Sequence, residues 1–163
     1  CSSDLMKHIV YARVDDRLVH GQVMTAWVLH TRASKVIIVD DKAARDSFMK
    51  MIMKSAMPSN LELEVLSVSS AISYLKEEGR EDERIFLLAK TPMVFMDLHD
   101  AGVPIQEVGI GGIGARADRR KLYRNIAVNE EEMNSIKAMQ SKGMDVYIRV
   151  VPDDKRVEIK DAA

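Results

Sequence analysis

Lys35-Val36-Ile37-Ile38-Val39-Asp40-Asp41 is a short run rich in β-branched residues, closed by two carboxylates. A strand covered by helices on both faces reads this way, because neither face alternates with solvent. Working outward, a strand is expected at 9–14 and a helix at 21–29 on the amino side. On the carboxyl side a helix is expected over 43–56, where Phe48, Met51, Ile52 and Ser55 fall at i, i+3, i+4 and i+7, with Pro58 closing it. Between 60 and 67, Leu61, Glu62, Leu63, Glu64 and Val65 have period two, which predicts a strand near a sheet edge with one buried face. Residues 85–89 are apolar throughout and predict a central strand. Helices at 70–78 and 92–101 stop at Gly79 and Gly102, the second opening on Pro92. Further strands are expected at 107–110, 126–128 and 146–151, and a last helix opens on Asn129 with Glu132 three residues on and ends before Gly143. This alternation predicts an α/β protein, a three-layer α/β/α arrangement around a central, mainly parallel sheet of about six or seven strands.

The 163 residues, 47% of them hydrophobic and with four prolines, suit one compact domain. A formal net charge of −1 excludes a basic nucleic-acid binder and an acidic disordered tail. The longest apolar runs, at 36–39 and 85–89, are far short of the roughly 20 residues that span a bilayer. A single cysteine, Cys1, excludes an intramolecular disulfide or a multi-cysteine metal site and points to a reducing, cytosolic setting. Because Met6 is a start-like residue, residues 1–5 are expected to be an appended remnant and 6–163 the domain.

In such a sheet, ligands bind where loops leave the carboxyl ends of the strands. The loops there are 15–20, 40–42, 90–91 and 111–114. The first belongs to Arg13-Val14-Asp15-Asp16-Arg17-Leu18-Val19-His20-Gly21-Gln22-Val23, with two guanidinium groups, two carboxylates and an imidazole within eight residues. That set suits phosphate chemistry. Arginines grip phosphoryl oxygens bidentately, a carboxylate fixes an imidazole tautomer, and the helix start after His20 offers N–H donors. An imidazole so placed can act as a covalent nucleophile. The same residues also read as a surface ion-pair cluster with His20 as a helix cap.

The stretch 13–23 resembles the active-site signature of the EIIB components of the mannose/fructose/sorbose family of the bacterial sugar phosphotransferase system. The resemblance continues through Thr25-Ala26-Trp27, Val36-Ile37-Ile38-Val39-Asp40-Asp41 and Ala89-Lys90-Thr91-Pro92, and covers nearly all of the chain from Met6 onward. It implies the same three-layer fold. It further implies that His20 accepts a phosphoryl group from a phosphohistidine on EIIA and donates it to a sugar translocated by the membrane components EIIC and EIID. Arg17 matches the arginine that helps the phosphoryl group move on to the sugar, with Asp15 and Arg13 as supports. A hydrogen bond from Asp15 to one ring nitrogen of His20 would leave Nδ1 for phosphorylation, the atom the resemblance favours. No cofactor and no metal are implied, since two guanidinium groups and backbone amides can balance the charge. The subunit is expected in the cytoplasm, peripherally bound to the membrane through EIIC and EIID. A homodimer is allowed without being demanded.

Gly111-Gly112-Ile113-Gly114 falls where that family has a short glycine-containing loop, although family members often carry Met-His or similar bulk at the third and fourth positions. Gly111 and Gly112 are candidates to bring amides to a phosphoryl group, or else a tight turn. Thr91, beside Lys90, is either a phosphoryl contact or an ordinary helix cap. His30 and His99 read as surface residues, His8 borders the expected remnant, Trp27 reads as core, and most of Met49, Met51, Met53 and Met57 as core filling, with an exposed methionine ridge as a partner surface the alternative. Arg116, Arg119, Arg120, Lys121 and Arg124 form one locally basic stretch, a solvated face or a docking patch for EIIA or a membrane partner. Two rivals remain: a non-enzymatic phosphate- or nucleotide-binding regulator using 111–114, and a metal-dependent hydrolase using Asp15 and Asp16.

Overall fold

The computed structural model describes residues 7–19, 21–79 and 82–159. The residues before Lys7, including Met6 and the expected remnant, lie outside the described residues. In chain order the elements are β1 (His8–Asp15), α1 (Gly21–Thr31), β2 (Lys35–Val39), α2 (Asp41–Ala44), α3 (Ser47–Ser55), β3 (Glu62–Leu66), α4 (Val68–Leu75), β4 (Arg84–Ala89), α5 (Pro92–Asp100), β5 (Glu107–Gly112), β6 (Arg120–Tyr123), β7 (Ile126–Val128), α6 (Glu130–Ser141), β8 (Asp145–Ile148) and β9 (Val157–Glu158). Seven strands form one sheet in the order β3-β2-β4-β1-β5-β8-β9, parallel except where β9 returns antiparallel along β8.

The expected mainly parallel α/β/α fold is therefore present. The alternating core proves its two covered faces. Val36 and Ile38 pack with Met24 and Trp27 of α1, Met53 of α3, and Phe86 and Leu88 of β4. Ile37 and Val39 point the other way, into a cluster with Ala71 and Leu75 of α4, Phe95 and Leu98 of α5, and Met133, Ile136 and Met139 of α6. Right-handed crossovers produce this division, since β1, β2 and β3 step one way across the sheet and the later units step the other way. The reversal leaves β1 between β4 and β5, so the crevice beyond its carboxyl end is the position such sheets give to ligands.

β3 is an edge strand whose Glu62 and Glu64 face out and Leu63 and Val65 in, and β4 is central, both as the period of the sequence predicts. Gly102 and Gly143, at φ +98° and +88°, stop α5 and α6 in the left-handed region that favours glycine. The capping box of α6 is complete, Asn129 accepting from the Glu132 amide and Glu132 from the Asn129 amide.

Five expectations change. The single helix over 43–56 is two helices, because Asp46 caps a new start by accepting from the Met49 amide. The restart re-phases α3, so Phe48, Met51 and Ile52 are 66%, 61% and 45% exposed, and Met53 instead is buried. Of the four clustered methionines, Met49 and Met51 are thus surface residues rather than core. The segment 126–128 is a strand, but it pairs antiparallel with β6 in a separate two-stranded sheet. The strand expected over 146–151 ends at Ile148, and the helix expected over 70–78 ends at Leu75. Trp27 is fully buried, as expected.

Candidate functional site

β1 delivers alternate side chains to the face covered by α1. Tyr11 stacks on Trp27 with ring centroids 4.5 Å apart, and the Arg13 guanidinium lies 5.2 Å over the same indole. Asp15, fully buried, is the next residue on that face. Its carboxylate accepts from Arg13 Nη2 at 3.1 Å, from Arg17 Nε and Nη2 at 3.0 and 3.1 Å, and from the Arg17 amide at 3.1 Å. Arg17 folds back onto Asp15 because the chain turns here, with the Leu18 amide on the Asp15 carbonyl and Leu18 in the left-handed region at φ +57°. A bulky residue holds that conformation only when its surroundings over-determine it, and the buried Leu18 side chain supplies the anchor.

Two guanidinium groups on one carboxylate leave a local excess of one positive charge. It is unevenly exposed: Arg13 is buried, whereas 49% of the Arg17 side chain meets solvent. Burial pushes the Arg13 guanidinium below its ordinary value against the pull of Asp15, while the hydrogen bond to Asp15 holds Arg17 above its own. Both stay cationic at any physiological pH. Arg17 is therefore the cation of the pair that is open to solvent, and Arg13 the buried charge that holds Asp15 in place.

The structure brings three predicted residues, Arg13, Asp15 and Arg17, into one cluster. His20 lies outside the described residues, as does any hydrogen bond between it and Asp15. The helix α1 that follows begins at Gly21, so the expected helix start directly after His20 is present.

Gly111 and Gly112 do not make the tight turn that was one of the two roles expected of them. Both are in β5, buried and without positive φ. Their missing side chains make room for the arginines. A Cβ on Gly111 would stand 2.1 Å from Arg13 Cζ, and one on Gly112 would stand 3.0 Å from Arg17 Nη2. The Gly114 amide is bonded at 2.7 Å to Asp16 Oδ2. With that amide taken, and Gly111 and Gly112 under guanidinium groups, less of the loop is open to serve as the cradle a regulator would use. The metal-hydrolase rival fares no better. Asp15 is saturated with guanidinium and amide donors while Asp16 turns to Gly114, so the two carboxylates do not converge on one site.

Thr91 occupies the N-cap position of α5, but its side chain makes no capping hydrogen bond. It stands beside the site because β4 pairs with β1 up to Val14 and Ala89. Arg119 leaves the expected basic face, since its side chain is buried against Glu132 at 2.6 Å, while Arg116, Arg120, Lys121 and Arg124 are exposed.

Sequence reasoning missed the support behind the cluster. Arg13 Nη1 donates to the Arg149 carbonyl at 3.0 Å, and Trp27 Nε1 to the Val150 carbonyl at 2.9 Å, which fastens the segment after β8 to β1 and α1. Arg149 lies 5.6 Å over the Trp27 ring. Asn125, in the β6–β7 turn, donates to the Gly111 carbonyl at 3.1 Å.

An open parallel sheet whose middle strand ends in a buried carboxylate shared by two arginines, with a helix starting just beyond, defines an anion-handling α/β domain. Over residues 9–162 the chain matches the family model of the PTS system sorbose subfamily IIB component, and it belongs to that family. It is thus an EIIB-type component of a sugar phosphotransferase system. It is 33% identical over 149 residues to the PTS system fructose-specific EIIB component of Bacillus subtilis (strain 168), covering 91% of each chain. It is also 30% identical to the PTS system mannose-specific EIIAB component of Escherichia coli (strain K12), spanning 92% of this chain and 46% of that one. The crystal structure of the IIBSor domain of the sorbose permease from Klebsiella pneumoniae superposes with a TM-score of 0.89 at 28% identity, over 93% of both chains. That of manxB from Thermoanaerobacter tengcongensis does so with 0.88 at 33% identity, over 94% of this chain and 93% of that one.

Proposed function

We propose that this chain carries a phosphoryl group on His20 between a phosphohistidine of an EIIA donor and a sugar. The observation that supports it most is the half-exposed Arg17, forked on the buried Asp15 at the end of β1, three residues before His20. A neutral imidazole nitrogen of His20, with Nδ1 the favoured atom, attacks the donor's phosphorus in line. The new N–P bond forms as the donor's N–P bond breaks, and the donor imidazole leaves neutral. In the second transfer a sugar hydroxyl attacks phosphorus as the His20 N–P bond breaks, its proton passes to solvent, and His20 leaves as a neutral imidazole. The charge on the three transferring oxygens is greatest in passage, and there the exposed N–H groups of Arg17 stabilise it. Arg13 touches no substrate in this scheme. It holds Asp15, and Asp15 holds the Arg17 fork. Thr91, with a side chain uncommitted to capping, stands at the same end of the sheet as a phosphoryl contact.

EIIA is the donor, a partner also suggested by the mannose-specific relative, whose name joins an A and a B unit. EIIC and EIID take the sugar across the membrane, and EIIB works on the cytoplasmic side, bound to the membrane through them. No helix among the described residues is long and apolar enough to cross a membrane itself. The domain runs over 6–163, needs no cofactor or metal for this step, recognises no nucleic acid, and is compatible with a homodimer.

Intact-mass measurement after incubation with phosphoenolpyruvate, the general phosphotransferase proteins and a matching EIIA tests this. One acid-labile, base-stable phosphoryl group on the wild type and none on His20→Ala is the expected result. No label on the wild type beside a phosphorylated EIIA, or a label that persists in His20→Ala, overturns it.

A further inference from the structure

Asp16 is engaged differently from its neighbour. Its amide donates to the Gly112 carbonyl at 3.0 Å, and its Oδ2 accepts from the Gly114 amide at 2.7 Å. Arg119 Nη1 stands 3.8 Å from that same oxygen and donates to the Gly114 carbonyl at 2.8 Å. Both polar atoms of the Gly114 backbone are thus held, one by the loop after β1 and one by Arg119. The remaining donors of Arg119, Nε and Nη2, meet Glu132 at 3.0 and 2.6 Å. Glu132 is buried and accepts in turn from the Asn129 amide within the capping box of α6. With 5% of its side chain exposed, Arg119 is fixed by a rigid helix terminus and cannot meet a partner or a substrate.

We propose that Arg119 is a positioning residue for the phosphoryl-transfer loop. Through Gly114 and Asp16 it pins the turn 15–18, so that Arg17 stays forked on Asp15 and the chain enters α1 along a fixed path. The proposal rests on the reading of His20 and Arg17 given above for its consequence in catalysis, but not for the clamp itself. The arrangement has a physical rationale. The loop contains a left-handed Leu18, a conformation unfavourable by itself for a branched side chain and kept only where the surroundings over-determine it, as its own burial and a second hold on the loop together do. An ion pair reaching from a capped helix supplies that second hold. A buried, bidentate arginine–carboxylate pair is also the geometry in which such a contact is directional.

The test uses the full chain and two readouts. Amide hydrogen exchange at Arg17 and Leu18 reports the turn without altering its own acceptors, because both amides donate to Asp15 atoms that the variants leave in place. In Arg119→Met these two amides are expected to exchange about tenfold faster or more, with the β4 amides unchanged and Arg116→Met, an exposed control, like wild type. The second readout is single-turnover phosphoryl acceptance from phosphorylated EIIA. There the rate constant is expected to fall about tenfold or more at an unchanged half-saturating EIIA concentration, with partial recovery in Arg119→Lys. Should Arg119→Met fail to fold, Asp16→Ala removes the clamp from its more exposed end and gives the same pair of readouts. Wild-type exchange at Arg17 and Leu18 in a folded variant overturns the proposal, and so does a shift confined to half-saturation, which would mark a docking residue. If the wild type accepts no phosphoryl group, it is the phosphocarrier reading that falls, and the exchange result alone decides the clamp.

Discussion

Gly111 is a glycine because Arg13 lies across it. Gly111→Ala would drive a Cβ to 2.1 Å from Arg13 Cζ, a distance no packing tolerates, so either β5 or the guanidinium must move. Overpacking of this kind costs about 1–3 kcal/mol. A urea titration is expected to show that loss. The displaced Arg13 is also expected to release Asp15 and slow phosphoryl acceptance more than the stability change alone explains. Unchanged stability and rate would show that the strand yields freely. At this scale the sequence was legible where chemistry is dense and local: Arg13, Asp15 and Arg17 announce themselves within five residues. That Gly111 and Gly112 make no turn was not legible, because a glycine that turns and a glycine that makes room look alike until the residue across the strand pair is known. Thr91 was placed correctly at a helix start, but nothing in the letters says that its side chain leaves the cap unmade.

Among the elements, α3 shows how a periodic pattern can mislead. The spacing of Phe48, Met51 and Ile52 is truly helical, but Asp46 restarts the helix and turns that stripe to solvent. Periodicity reports that an apolar face exists and not which way the tertiary structure will point it. The consequence is an asymmetry among neighbouring methionines. Met53→Ala, from a side chain 5% exposed, is expected to lose about 2–5 kcal/mol, whereas Met51→Ser, from one 61% exposed, is expected to stay within about 0.5 kcal/mol of wild type. Thermal or urea unfolding of the two variants measures the contrast, and equal losses would contradict the orientation of α3. By comparison β2, β3 and β4 were legible nearly residue for residue, since burial on one face or two is written directly into alternation. The β6–β7 pair was not: β6 is four mostly polar residues with no alternation to find, held by pairing with β7.

Seen whole, the molecule places a cluster of buried charges at each end of its sheet. The carboxyl end holds the Arg13–Asp15–Arg17 cluster. At the amino end, Tyr74 donates to Glu83 at 2.9 Å, Lys35 to the Tyr74 hydroxyl at 2.8 Å, and Lys7 to Glu83 at 3.4 Å. Burial raises the Glu83 carboxyl, but the Tyr74 hydroxyl and the ammonium of Lys7 outweigh it and hold the group below its ordinary value. A carboxyl depressed in the folded state adds stability above its unfolded value, near 4.3, and that stability is lost as pH falls through the folded value. The stability gap between wild type and Glu83→Gln is therefore expected to be full at neutral pH and to close in acid, in urea titrations from about pH 7 to about pH 3. A gap that does not vary with pH would assign Glu83 a purely steric role. Topology was legible as a class from the alternation of strands and helices. The order β3-β2-β4-β1-β5-β8-β9 was not, because it is fixed by crossovers and by contacts such as Arg13 to Arg149, which join residues 136 positions apart.

That the chain has one tryptophan, and that it sits where it does, gives the protein its own optical gauge. The Trp27 indole is stacked on Tyr11, flanked by the guanidinium groups of Arg13 and Arg149, and bonded to the carbonyl of Val150. Its emission therefore comes from a single shielded environment whose walls are the supports of the phosphoryl-transfer cluster, so a loosening of those supports becomes a change in colour and intensity that needs no added dye.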